Sequence, residues 1–178
     1  MRYGGIEWQY AEPIARALVE EQDFRIWVLS HTQFAGYAPE AKLLHNDMKA
    51  LRTPSAETWW RSHYTEKCRC PGCSGQETDL LAVFNAGQTR FALHFEIKRP
   101  GDVFPHNKDQ ARNYSLRAYC WTKSPPPRIL PHDHAATLLV YSEDQRFDFL
   151  PHIEKFDASF TFEDASVALP SGFMFPTT

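Results

Sequence analysis

Three polar residues in the middle of the chain carry the strongest chemical signal. Glu96 and Lys98 lie two apart in the apolar run 90–99 (RFALHFEIKR), and Asp79 stands near the head of the preceding run 78–84 (TDLLAVF). Residues two apart on a strand point to one face, so Ala92, His94, Glu96 and Lys98 share a face, and Phe91, Leu93, Phe95 and Ile97 share the other. The second set reads as core. A carboxylate and an ammonium thereby emerge side by side from an otherwise apolar strand, on a face expected to be polar or catalytic. Two carboxylates converging from adjacent strands suit Mg²⁺ or Mn²⁺, hard ions that keep several waters and complete their shell from substrate phosphate. Such an ion lowers the pKa of a water, and a nearby lysine orients that water or neutralises the transition state. Phosphodiester hydrolysis needs this set. Glu-x-Lys alone is common on solvent-facing sheets, so its weight here comes from Asp79 before it and from the helix after it.

A second chemistry is written in Cys68-Arg69-Cys70-Pro71-Gly72-Cys73, which packs three thiols into six residues around a Pro-Gly turn. Thiolate-rich tetrahedral sites bind Zn²⁺, and they are closed and structural when four protein ligands are present. Cys120 is the expected fourth ligand, with His63 or His94 behind it. Four cysteines with three so clustered fit a metal site in a reducing compartment better than a disulfide framework. A zinc joining Cys120 to this knuckle, an insertion at about residues 66–76, would staple it beside the carboxylates.

The elements that must position these groups follow from periodicity. Residues 10–21 carry Ile14, Ala17 and Leu18 at helical spacing, and 24–29 (FRIWVL), β-branched and aromatic, reads as a strand. Residues 39–51 predict a helix with Leu43, Leu44, Met48 and Leu51 as its stripe, stopped by Thr53-Pro54-Ser55. Residues 57–65 are strand-like by their aromatics. The runs 78–84 and 90–99, joined by Asn85-Ala-Gly-Gln, predict a β-hairpin. Residues 107–121 contain no Gly or Pro and predict a helix ended by Ser124-Pro-Pro-Pro, after which 136–142 (ATLLVYS) is a buried-type strand. The remainder, including 147–150 and 160–162, shows no clear period. From residue 39 the order is helix, strand, strand, strand, helix, strand, which favours an α/β or α+β domain with a mixed sheet flanked by helices. On the helix over 107–121, Gln110, Tyr114, Arg117 and Trp121 form one stripe; it suits phosphate and base contact, although Trp121 itself reads as core.

In this ordered set the chain resembles the PD-(D/E)XK nuclease superfamily, of restriction-endonuclease-like fold. Asp79 matches its aspartate on the second core strand, Glu96-Ile97-Lys98 its E-x-K on the third, and Gln110-Ala-Arg-Asn-Tyr114 the Q-x-x-x-Y motif of the RecB-like branch. Thr78 replaces the proline before the aspartate. The resemblance spans residues 39 to about 142 and implies an α-β-β-β-α-β core and Mg²⁺-dependent cleavage of DNA, endonucleolytic before exonucleolytic. It implies Asp79, Glu96 and Ile97 as the metal set, Lys98 acting on the nucleophilic water, and Gln110 and Tyr114 contacting the lysine region or the DNA. Glu40 is expected as the glutamate of the first core helix, with Glu12 or Glu20 in that role if 24–29 is the first core strand. RecB-like nucleases that carry an iron–sulfur cluster place most of its cysteines after the Q-x-x-x-Y helix, unlike this chain, which favours zinc.

Composition sets the outer bounds. At 178 residues, 43% hydrophobic and 14% aromatic, the chain reads as one globular domain over 1–178. No run approaches the roughly 18 apolar residues of a membrane span, and no signal peptide is evident, so a soluble cytoplasmic protein is expected. A net charge of −3 argues against a basic coat, but residues 98–128 hold seven basic side chains against two acids, a local +5, while 129–178 are −6. Lys108, Arg112 and Arg117 in the basic segment are the expected nucleic-acid contacts, DNA the expected partner, and a homodimer a way to address two strands. A zinc-containing nucleic-acid-binding module without catalysis is the competing reading, and a structural subunit on a nuclease-derived fold a third. Acids facing phosphate do nothing for a pure binder.

Overall fold

A computed structural model describes residues 7–52, 55–61, 70–73, 77–106, 109–170 and 174–176. Among them, one five-stranded mixed sheet runs in chain order: β1 (Lys42–Leu43), β2 (Leu80–Ala86), β3 (Thr89–Ile97), β4 (His134–Tyr141) and β5 (Ala158–Thr161). β1, β2 and β3 pair antiparallel, and β4 and β5 continue the sheet parallel to β3. Six α-helices accompany it: α1 (Glu7–Glu20), α2 (Gln22–Ser30), α3 (His45–Leu51), α4 (Gln110–Lys123), α5 (Arg146–Ile153) and α6 (Phe162–Ala168). The architecture is α/β. Among the described residues no helix is long and apolar enough to cross a membrane.

The β2–β3 hairpin forms where alternation and turn chemistry agree. Ala86 pairs with Thr89, leaving Gly87-Gln88 as a two-residue loop in which Gly87 takes φ +57°, a left-handed conformation that glycine adopts without steric cost. β3 then lies between β2 and β4, and every residue from Phe91 to Ile97 is buried. The face expected to be polar or catalytic, with His94, Glu96 and Lys98, is thus buried. The parallel step from β3 to β4 requires a crossover, and α4 supplies it, covering that face. Trp121 of α4 packs on His94, while Phe91 stacks on Phe34 from the other side at 4.0 Å.

Four sequence expectations change. Residues 24–29 are helical in α2, not a strand, because Phe24, Val28 and Leu29 form a buried helical stripe and Arg25 Nη1 donates to the carbonyls of Leu18 and Val19. Packing here overrides the β-branched composition. The helix expected over 39–51 is confined to His45–Leu51, since Lys42 and Leu43 are drawn into pairing with Asn85 and Phe84. The strand expected over 57–65 is instead a 3-10 turn at Ala56–Thr58, with Leu81 N donating to Trp60 O; residues 62–65 lie outside the described set. The unassigned C-terminal part supplies α5, β5 and α6, the last opened by a capping box of Thr161 and Asp164.

Candidate functional site

Asp79 precedes β2, Glu96 and Lys98 close β3, and Gln110 opens α4, so four residues far apart in sequence meet at one corner of the sheet. The Asp79 backbone N–H donates to Phe95 O, and the Ile97 backbone N–H donates to Asp79 Oδ2 at 2.7 Å. The aspartate is thereby locked to β3. Across the same edge Lys98 Nζ lies 2.7 Å from Glu96 Oε1, in a pair whose side chains are 9% and 3% exposed. Gln110 bridges them: its Nε2 donates to Glu96 Oε1 at 2.7 Å, and its Oε1 accepts from Lys98 Nζ at 2.9 Å. One amide thus fixes both ionised groups, as neither a carboxylate nor an ammonium at that position could.

Electrostatics tie the set together. Burial opposes the Lys98 charge, but Glu96, with Asp79 and Asp102, outweighs it and holds the ammonium pKa above its usual range. Tyr114 is fully buried, donates weakly to Phe95 O at 3.4 Å, and has its hydroxyl pKa pushed well up by burial and by the nearby Asp79 and Glu96 carboxylates. The structure therefore brings Asp79, Glu96, Lys98, Gln110 and Tyr114 to one place. Ile97 contributes its backbone N–H there while its side chain is core.

Glu77 was not foreseen. It feels both Arg117 and Glu96, its Oε1 is buried without a hydrogen-bond partner, and burial, offset in part by Arg117 and reinforced by Glu96, pushes its carboxyl up to about 7. The available signal was its spacing, two residues before Asp79, which in extended chain repeats the same side.

Other expected residues fall elsewhere. Glu40 is exposed in the turn before β1, and β1 pairs at the hairpin end of β2, so Glu40 lies more than roughly 20 Å of strand from Asp79; it does not join the site. Glu20 pairs with Arg16 on the exposed side of α1, and Glu12 is half-buried on the same helix. Arg117 is corrected from a nucleic-acid contact to an internal strut. It is 1% exposed, and its Nη1 donates to Thr78 Oγ1 at 2.7 Å, because its face of α4 is turned to the sheet. Arg112 is exposed on the outer face, while Lys108 lies outside the described residues.

The thiols form a separate cluster. The Sγ atoms of Cys70, Cys73 and Cys120 all lie within 4.8 Å of one another. Thiolates on one tetrahedral zinc stand about 3.8 Å apart, given Zn–S bonds of about 2.3 Å, so these three residues can hold such an ion. Cys68 and His63 lie outside the described residues, and His94 is not in the cluster. The turn is pressed onto α4: a Cβ on Gly72 would stand 2.4 Å from Leu116 Cβ, 2.7 Å from Arg117 N and 2.8 Å from Asn113 O. Only glycine fits there.

Beyond the thiols, His94 is fully buried with neither ring nitrogen hydrogen-bonded, and burial, with His132 and Arg117 nearby, holds its pKa well below the usual value. Comparison with protein-family models, with curated proteins and with solved structures finds no match.

Proposed function

We propose that this chain is a metal-dependent nuclease that hydrolyses DNA phosphodiester bonds on a restriction-endonuclease-like core of PD-(D/E)XK type. The observation that carries the reading is the buried Glu96–Lys98 pair, clamped by Gln110 and faced by Asp79 across the hairpin. A structural ion pair would need only opposite charges. Here a further carboxylate feels the pair: Glu77 keeps a buried oxygen without a partner, and burial first, with Glu96 as a lesser cause, raises it to about 7. Two carboxylates beside an ammonium are the hard-oxygen chemistry that a divalent cation of the Mg²⁺ kind would use. Asp79 and Glu96 would hold it, and when bound it supplies an acidified water and charge stabilisation at the phosphoryl oxygen. Lys98, its charge secured by Glu96, orients the attacking water or meets the charge that develops on phosphate. Gln110 keeps that ammonium aimed, and Tyr114 fixes α4 against β3.

The test is cleavage of plasmid and of linear single- and double-stranded DNA with Mg²⁺, Mn²⁺ or EDTA. Wild type is expected to cut only with the metal, and Asp79→Ala, Glu96→Gln and Lys98→Ala to lose at least about 100-fold. Binding without cutting, equal in all four proteins, would replace this reading with that of a binding module.

A further inference from the structure

Beside the carboxylate corner the chain between β3 and α4 and the helix α5 enclose a cleft of about 560 Å³. Its inner wall is continuous with the site. Lys98 Nζ lies 4.7 Å from the centre of the Phe104 ring, and the His152 imidazole stacks on that ring at 4.0 Å with 20° between planes. Asp109 on the other wall directly precedes Gln110, the residue that clamps Glu96 and Lys98. The first turn of this connection, residues 99–102, is firmly built: Arg99 binds Asp102 through its backbone N–H and its guanidinium, Gly101 turns at φ +84°, and Gln145 Nε2 donates to Asp102 O at 2.7 Å. At the rim Val103 is 71% exposed, and Asp148 stands exposed in the first turn of α5.

The lining chemistry selects the occupant. Lys155 Nζ donates to both oxygens of Asp109 at 3.0 and 3.1 Å, so those charges answer each other, and among the described lining residues Asp148 is the remaining carboxylate. The Asp148 carboxylate at the rim repels a phosphate. A flat heteroaromatic ring gains two things, a stacking surface on His152 and Val103 and a carboxylate that accepts from an exocyclic amino group. In a duplex both the face and the edge of a base are engaged with neighbours, so only an unpaired or extruded base can enter.

We propose that this cleft receives the unpaired nucleobase beside the scissile phosphate, so that the chain acts on single strands or on frayed and overhanging ends in preference to blunt duplex. The inference rests on the nuclease reading above.

Short single-stranded oligonucleotides carrying 2-aminopurine at successive positions, titrated in EDTA so that none is cut, test it. Quenching is expected at one position, and an abasic nucleotide there should weaken binding about tenfold, the size of one stacked base. His152→Ala should cost the same and make the abasic change silent; Asp148→Asn, on an exposed site that leaves the fold intact, should weaken amino-bearing bases alone. Binding of blunt duplex should be unmoved. Unquenched fluorescence throughout, with abasic substitution harmless at every position, would overturn the cleft even if the protein cuts DNA. Quenching in a protein that shows no Mg²⁺-dependent cleavage would instead remove the nuclease reading and leave the cleft standing.

Discussion

At Glu96 one carboxylate oxygen takes hydrogen bonds from both a lysine and an amide, and both donors come from defined places: the next residue on that side of β3 and the first residue of α4. Burial makes this pair costly to break, since a lone charge at 3% exposure has no water to replace its partner. Lys98→Met is therefore expected to lower unfolding free energy in urea by about 3–5 kcal/mol. Adding Glu96→Gln should restore most of that stability and none of the cleavage, separating structural from chemical need. Gln110→Glu tests the clamp itself: it keeps the acceptor for Lys98 but loses the donor to Glu96, and hydrogen bonds to charged groups are worth about 1.5–3 kcal/mol. Cleavage should fall about 10- to 100-fold, and the melting temperature by circular dichroism should fall with it at neutral pH, because a second carboxylate then faces Glu96. Asp79, Glu96, Lys98 and Gln110 were all legible in the sequence because strand alternation and the E-x-K and Q-x-x-x-Y spacings are local. Glu77 carried only its two-residue spacing from Asp79, and its raised pKa comes first from burial, which no local spacing shows.

Among elements, α4 does the most work. It bridges β3 to β4, covers the Glu96 face, carries Gln110 and Tyr114, ties Arg117 to Thr78 beside Asp79, and presents Cys120 to Cys70 and Cys73. A metal at the thiols would consequently hold the turn over 70–73 against the helix that carries Gln110 and Tyr114. Gly72→Ala drives a Cβ into α4 backbone atoms that cannot yield, and overpacking of this kind costs about 1–3 kcal/mol. The expected result is a lower melting temperature and a lower metal content in purified protein, both read directly, with thiolate-to-metal absorption after cobalt substitution weakened in parallel. Cys120→Ser should lose the same absorption without the steric penalty. The hairpin was legible because alternation and a Gly-bearing turn reinforce each other. The two-residue β1 and the helical α2 were not, because one has no run long enough to show a period and the other has strand-like composition on a helical burial stripe.

For the whole molecule, the proposed Mg²⁺ site, a metal at the three thiols and one buried histidine pair would set the response to conditions. Chelation of Mg²⁺ with EDTA is expected to stop cleavage reversibly with little change in melting temperature, whereas a mercurial that titrates the thiols should lower the melting temperature at once. Simultaneous loss of both properties on mild EDTA treatment would contradict two separate centres. His94 and His132 have pKa values lowered first by burial, so the folded state resists protons that the unfolded chain accepts. Their contribution is full above about pH 6.5 and is lost as pH falls below it, at about 1.4 kcal/mol per pH unit for each group until its folded pKa is reached. His132→Asn should remove one proton's share of that slope, measured as urea midpoints between pH 7 and 5.

The sequence by itself determined what is local: the hairpin, the helix after it, the carboxylate and lysine on one strand face with an aspartate heading the preceding strand, and the dense cysteine turn. Those follow from periods of two and 3.6 residues and from side-chain chemistry, which act over a few positions. Tertiary structure alone decided which of them meet. It buried the Glu96 face under α4, left Glu40 a strand's length from Asp79, buried an oxygen of Glu77 without a partner, turned Arg117 inward, and set Cys120 against Cys70 and Cys73. Each of these depends on contacts between residues tens of positions apart, fixed only when helices and sheet close on a common core.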